Sequence, residues 1–222
     1  DNGSVRRWHP PDNARLVNVK CGRKHTILLD DRGRVWACGT DNRYGQLGRG
    51  SGGGSTTAKK KDFLEPQLVQ GLNDLFCVDI DCGWSHNVAL VKDNVITNPN
   101  DDGAILYGWG RNDKGQLGIR NNENGQNWHA VPRRLSSQKV KKVSCGAEST
   151  MLVDENNIIH GCGWNEHGNV GVGHSHPSRD IILDMTPVTG AKILAPPTMG
   201  HDDCDGEIII VAGGAHFLAM MR

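Results

Sequence analysis

This chain of 222 residues has few aromatics, no charge imbalance, no long apolar run and no C-x-x-C pair of cysteines. Aromatics are 5% of the residues and 25 basic side chains meet 25 acidic ones, so no global field draws the chain toward nucleic acid or a membrane. The longest apolar stretch, Ile208 to Ala212, is far too short to cross a bilayer, and DNGSVRRWHPPD at the N-terminus lacks the apolar region of a signal peptide. The expectation is a soluble chain in the cytoplasm, the nucleus or both. It begins at Asp1 without a methionine, which suggests that residues upstream were removed or left out. Seven cysteines are an odd number, and no C-x-x-C occurs; this argues against a complete disulfide framework and against a zinc ribbon. Cys21, Cys82 and Cys145 each precede a glycine at the end of an apolar strand and read as small buried residues in a reducing compartment. Helical periodicity of useful length is absent as well.

Glycine, by contrast, is abundant at 29 residues, and it is periodic. VNVKCGRKHTILLDDRGRVWACGTDNRYGQLG at Val17–Gly48 recurs as VDIDCGWSHNVAL at Val78–Leu90 with ILYGWGRNDKGQLG at Ile105–Gly118. It recurs again as VKKVSCGAESTMLVDENNIIHGCGWNEHGNVG at Val140–Gly171, and IIIVAGGAHFLAMM at Ile208–Met221 is half a copy. The repeats run over about 17–49, 77–118 and 140–174, with the half repeat at 207–221. The glycine step falls at Gly22, Gly83, Gly146 and Gly214, a period of sixty-odd residues that two insertions make irregular, a Gly/Ser/Lys tract at 50–61 and NPNDDG at 98–103. The tract has the composition of a flexible loop, and GSGGGS that of a linker. Each copy reads as short Val- and Ile-rich strands bounded by glycine. Four such strands per repeat make an all-β propeller blade.

Glu166 and His167 in GWNEHGNVG offer a carboxylate beside an imidazole, the materials of acid–base chemistry. In register, the other copies place Asp113 with Lys114 and Arg43 with Tyr44 there. Chemistry would not survive that exchange, whereas a turn would. Gly48, Gly50 and Gly53 satisfy G-x-G-x-x-G, but a Ser/Thr/Lys tract follows where a helix is needed. No P-loop occurs, and GWSHN around Ser85 lacks the last glycine of a nucleophile elbow. The chain reads as non-enzymatic, with no cofactor and no metal. His174 and His176, with His201, Asp202, Asp203 and Cys204, have metal-ligand types without a zinc spacing. Lys59–Lys61, Arg133 with Arg134, and Lys139 with Lys141 and Lys142 read as solvated loop charges more readily than as phosphate contacts.

The pattern C-G-x-x-H-T-x-x-L…G-x-V-W…G…Y-G-Q-L-G resembles the repeat of the regulator of chromosome condensation family over nearly the whole chain. The third copy departs from it with Ser149 for the histidine and GNVG for GQLG. The resemblance implies a seven-bladed β-propeller, of which this chain supplies about three and a half blades. It also implies closure by pairing the C-terminal half repeat with an N-terminal one, and residues 1–16 contain none. A missing N-terminal half is therefore an expected partner. GWNEHG before a final half repeat is similar to the C-terminal end of two members. One is the fungal alpha-tubulin suppressor, which partners a small zinc protein in diphthamide synthesis and tRNA wobble-uridine modification. The other is the secretion-regulating exchange-factor homologue.

Two functions follow from the resemblance. One is an adaptor or regulatory subunit; the other is guanine-nucleotide exchange on a small GTPase, for which the insertions at 50–61 and 119–128 have the length of a wedge without its composition. His25, His86 and His216 share one slot and either line a central pocket or hold their own turns through backbone hydrogen bonds. Between the glycine step and that slot stand Arg23 and Lys24, Trp84 and Ser85, Ala147 and Glu148, and Ala215. In the family this position faces protein partners, so these residues are the candidate contact set. Trp84 is either their exposed anchor or a ring folded onto the next blade.

Overall fold

The computed structural model describes residues 7–50, 64–92, 103–120, 125–173, 180–189 and 207–221, and every regular element among them is a strand. Strands β1 (Leu16–Cys21), β2 (His25–Asp30), β3 (Val35–Gly39) and β4 (Gln67–Leu68) form one four-stranded sheet in chain order. β5 (Cys77–Cys82), β6 (His86–Val91), β7 (Ala104–Arg111), β8 (Trp128–Cys145), β9 (Ser149–Asp154), β10 (Ile159–Trp164) and β11 (Ile181–Pro187) form a second sheet of seven strands. β12 (Ile208–Ala212) and β13 (Phe217–Met221) pair alone. The tract from residue 51, the 98–102 insertion, and His174, His176, His201, Asp202, Asp203 and Cys204 lie outside the described residues.

The seven-stranded sheet is two blades that share one strand. β8 opposes β7 from Arg111↔Trp128 to Ala104↔Val140, then opposes β9 from Val140↔Asp154 to Cys145↔Thr150. The sequence leads one to expect Val17–Cys21, Val78–Asp81 and Val140–Ser144 at equivalent inner positions of successive blades, and they are. The last of them continues without a break from the outer strand of the preceding blade, over 18 residues that contain no glycine to stop it. The four inner strands keep one register, with Cys21↔Thr26, Cys82↔Asn87, Cys145↔Thr150 and Ala212↔Phe217 opposed. The first three also carry a bulge at the same place.

Sequence explains the layering. Every residue of HNVALV and STMLVD is buried, because a second strand is covered on both faces and alternate side chains serve opposite neighbours. Ala89 and Val91 join Ile27, Leu29 and Trp109 in one cluster, whereas Val88 and Leu90 join Val143 and Leu152 in the next. Met151 and Val153 turn the other way, toward Ile208 and Ile210. Each such side chain contributes roughly 1.5–3 kcal/mol on burial. Gly110 closes a third strand with φ +98°, and a Cβ there would strike the Ser85 carbonyl oxygen and His86 Cα; Gly39 and Gly163 press on the equivalent places. The terminal sheets keep apolar faces outward, with Val17 and Val19 at 57% and 55% exposure and Val211 and Leu218 at 59% and 63%.

Candidate partner-binding face

Each blade presents two loops at the same end, the turn between its first and second strands and the turn after its third. The first is drawn tight by glycine. A Cβ at Gly83 would meet the His86 ring and the Gly146 carbonyl oxygen, so only glycine lets neighbouring blades come this close. Arg23 N donates to Trp84 O at 3.1 Å, Trp84 N to Ala147 O at 2.9 Å, and Ala147 N to Gly213 O at 3.2 Å. These bonds stitch blade to blade along one rim.

The second loop is held by an asparagine. Asn42, Asn112 and Asn165 each accept at Oδ1 from the backbone N–H five residues on, of Leu47, Leu117 and Val170, at 2.9, 3.0 and 2.9 Å. Gly45, Gly115 and Gly168 supply the left-handed backbone, with φ near +70°. Glu166 and His167 fall on the third of these turns, both exposed, with the His167 ring edge-on to Trp164 at 5.3 Å.

Under the rim, His25 and His86 are buried, and each reaches a side chain of the next blade that the sequence does not suggest. His25 Nε2 lies 2.7 Å from Asn87 Oδ1, and Asn87 Nδ2 donates to Gln46 O at 2.9 Å. His86 Nε2 lies 3.1 Å from Thr150 Oγ1, whose hydroxyl donates to Gln116 O at 2.6 Å. Since each partner has committed its proton to a carbonyl, the imidazole Nε2–H is the donor in both pairs. Each histidine thus clamps the next blade to the QLG turn of its own. Burial pushes the His86 imidazole down to about 3, and His25 nearby adds to this, against a smaller opposing contribution from the Ser149 backbone. Burial also lowers His25, with Asn87 and Asp41 opposing. In the third copy, Ser149 stands at this slot and the next blade offers Phe217 where Asn87 and Thr150 stood, so a ring donor there would find no such acceptor. His216 is exposed.

Two anchors escaped the sequence reading. Asp30, at the far end of β2, accepts from Arg32 N, Arg34 N, Arg34 Nε and Trp36 Nε1 between 2.7 and 3.0 Å. Asp154 repeats this with Asn156 N, Ile158 N and His160 Nε2. The aspartate shared by HTILLD and STMLVD was the available signal. The other anchor is Arg111, which donates to Glu148 Oε1 at 2.5 Å and Asp113 Oδ2 at 2.7 Å while its guanidinium lies 5.3 Å from the Tyr44 ring. Burial opposes its charge, but the two carboxylates more than offset that.

Of the candidate contact set, the structure brings Arg23, Lys24, Trp84, Ser85, Glu148 and Ala215 to the same end. Glu148 is held by Arg111, Ser85 is half-buried, and Arg23, Lys24 and Ala215 are exposed. Trp84 is 47% exposed and carries the Arg23 guanidinium over its ring at 5.4 Å; it is not folded away. Cys21 is exposed, contrary to the expectation of three buried thiols, because it lies on the uncovered side of the first blade. Cys82 and Cys145 are buried, and burial pushes Cys82 up to about 12.

Repeated four-stranded blades stitched along one rim, with short loops gathered at that rim, define a β-propeller built from tandem repeats. The chain belongs to the regulator of chromosome condensation (RCC1) repeat family: one repeat model matches residues 32–90 and 104–153, and a second matches 16–46, 77–116 and 140–169. It is similar to the ultraviolet-B receptor UVR8 of Arabidopsis thaliana, 30% identical over 186 residues that cover 82% of this chain and 37% of the receptor. It is also similar to the probable E3 ubiquitin-protein ligase HERC6 of Homo sapiens, 29% identical over 97% of this chain and 18% of the ligase. The chain thus spans well under half of these relatives. Among solved structures, yeast RCC1 (Prp20) bound to Kap60 superposes with a TM-score of 0.68 at 20% identity, covering 95% of this chain and 42% of that one. Human WBSCR16 superposes with a TM-score of 0.62 at 22% identity, covering 90% and 45%. At these identities the likeness is one of fold.

Proposed function

We propose that the chain is a protein-binding part of a propeller that works as an adaptor or regulatory subunit, by presenting its loop face rather than by catalysis. The observation that carries this reading is Trp84, a large indole left 47% exposed on the loop face with the Arg23 guanidinium over its ring. Exposed indoles beside arginine are the residues that anchor protein interfaces. The finer reading is a subunit of the alpha-tubulin suppressor type, meeting a small zinc protein in diphthamide synthesis or tRNA wobble-uridine modification, in the cytoplasm or nucleus. A missing N-terminal half is the second partner proposed, and the outward apolar side chains Val17, Val19, Val211 and Leu218 support it. The test is crosslinking with mass spectrometry on the protein in its native complex, with a benzophenone placed at residue 84. Crosslinks from that position to a distinct protein support the reading. No crosslink from residue 84, with crosslinks from a second benzophenone placed at residue 32 on the opposite end of the blades, overturns it. Accelerated nucleotide release from a purified small GTPase, lost in Trp84→Ala, would assign the face to exchange instead.

A further inference from the structure

The cations near the rim are unequally matched. Arg43 is paired with Asp41 at 3.0 Å, and Arg111 with Asp113 and Glu148. Arg23 and Lys24 have no ion pair among the described residues, and both are exposed; Asp41, whose charge Lys24 favours from outside contact distance, is bound to Arg43 through side chain and backbone. Arg23 is nonetheless not loose. Its guanidinium lies over the Trp84 ring at 5.4 Å, an attraction that holds the charge beside the indole. The buried indoles differ from Trp84: Trp36 and Trp109 donate Nε1 to Asp30 and to Gln46 O.

Beside this pair the glycine steps open a shallow depression of about 270 Å³, lined by backbone at Gly22, Gly83, Gly146 and Gly213 with Trp84 on its border. Apart from Arg23 and Trp84 its lining is glycine and the small residues cysteine and alanine, so an extended peptide can lie close to it. At the junction of the first two blades Arg23 and Lys24 stand without ion pairs, whereas at the next Glu148 neutralises Arg111. That asymmetry selects the sign of what binds.

Resting on the protein-binding reading above, we propose that the partner supplies an acidic extended segment, with one carboxylate on the Arg23 fork, a second near Lys24, and its backbone across Trp84 and the glycine depression. Charge-assisted bonds to a guanidinium are the strong class. Nucleic acid is the less favoured occupant, because phosphate-backbone binding draws on many neutralised phosphates and the cations of the proposed contact are Arg23 and Lys24 alone.

The experiment titrates the protein with two fluorescein-labelled decapeptides, one alternating Glu with Gly and one alternating Gln with Gly, and follows anisotropy at low and at physiological salt. The acidic peptide is expected to saturate, to weaken with salt, and to lose about tenfold in affinity in Arg23→Gln and in Trp84→Ala. Lys114→Gln, outside the proposed contact, serves as the control and should retain it. Equal binding of the Gln peptide, no binding of either, or indifference to the two variants would each overturn the proposal. So would a labelled oligothymidine that binds more tightly through the same residues. Unchanged circular dichroism spectra exclude unfolding as the cause, since both side chains are at the surface. If crosslinks from residue 84 reach a partner while the peptide arm fails, only the acidic assignment falls; if those crosslinks are absent, the face itself is wrong.

Discussion

Acid should loosen this propeller before its carboxylates titrate, and the cause is the pair of clamps beneath the rim. His86 is fully buried, donates through Nε2 to a threonine already committed elsewhere, and sits beside His25. Charging it would place a second N–H on Nδ1, which has no acceptor in the structure. With the folded value lowered to about 3 and the unfolded one near 6.5, the unfolded chain binds the extra proton first. Stability is therefore complete above about pH 6.5 and falls as the pH drops from there toward 3. The slope approaches roughly 1.4 kcal/mol per pH unit, so His86 alone accounts for about 2 kcal/mol between pH 7 and pH 5. His25 and His129, both lowered by burial, act in the same direction. Urea unfolding at a series of pH values measures this, with the m-value checked for constancy. His86→Gln should be less stable at pH 7 yet lose about 2 kcal/mol less on going to pH 5. A flat profile between pH 7 and pH 5 in the parent protein, or an unchanged slope in the variant, would refute the clamp and its tautomer.

Asp30→Ala strands two backbone N–H groups, a guanidinium and an indole, and should cost about 3–5 kcal/mol, with Asp30→Asn costing roughly half as much; thermal and urea unfolding would check both. Gly110→Ala combines φ +98° with a collision against the Ser85 carbonyl and is expected to destabilise by about 2–4 kcal/mol, visible as a lowered urea midpoint. Exchanging Glu166 and His167 for the Asp and Lys of the second copy should change stability by no more than about 0.5 kcal/mol and leave crosslinks from residue 84 intact. With Val17, Val19, Val211 and Leu218 exposed on terminal sheets, the isolated chain should self-associate in the analytical ultracentrifuge. A stable compact monomer would contradict that expectation.

The repeat made the local architecture legible. Glycine spacing, the strand pattern of HTILL and its copies, and the exchange of Glu166–His167 for Asp113–Lys114 all concern residues near one another in the chain, whose conformations follow from φ/ψ preference and side-chain alternation. From that one-dimensional signal come the blade, its turns and the common slot that holds Arg23, Trp84 and Ala147. Tertiary structure decided what those residues meet. His25 finds Asn87 and His86 finds Thr150 more than sixty residues away, and Glu148, offered by the sequence as a free contact, is taken by Arg111 of the preceding blade. The fusion of two blades through β8 likewise depends on neighbours on both sides of one strand. A repeat specifies what is the same in every blade, whereas partnerships between blades depend on how unlike copies differ at facing positions, and only their juxtaposition in space reveals which positions face.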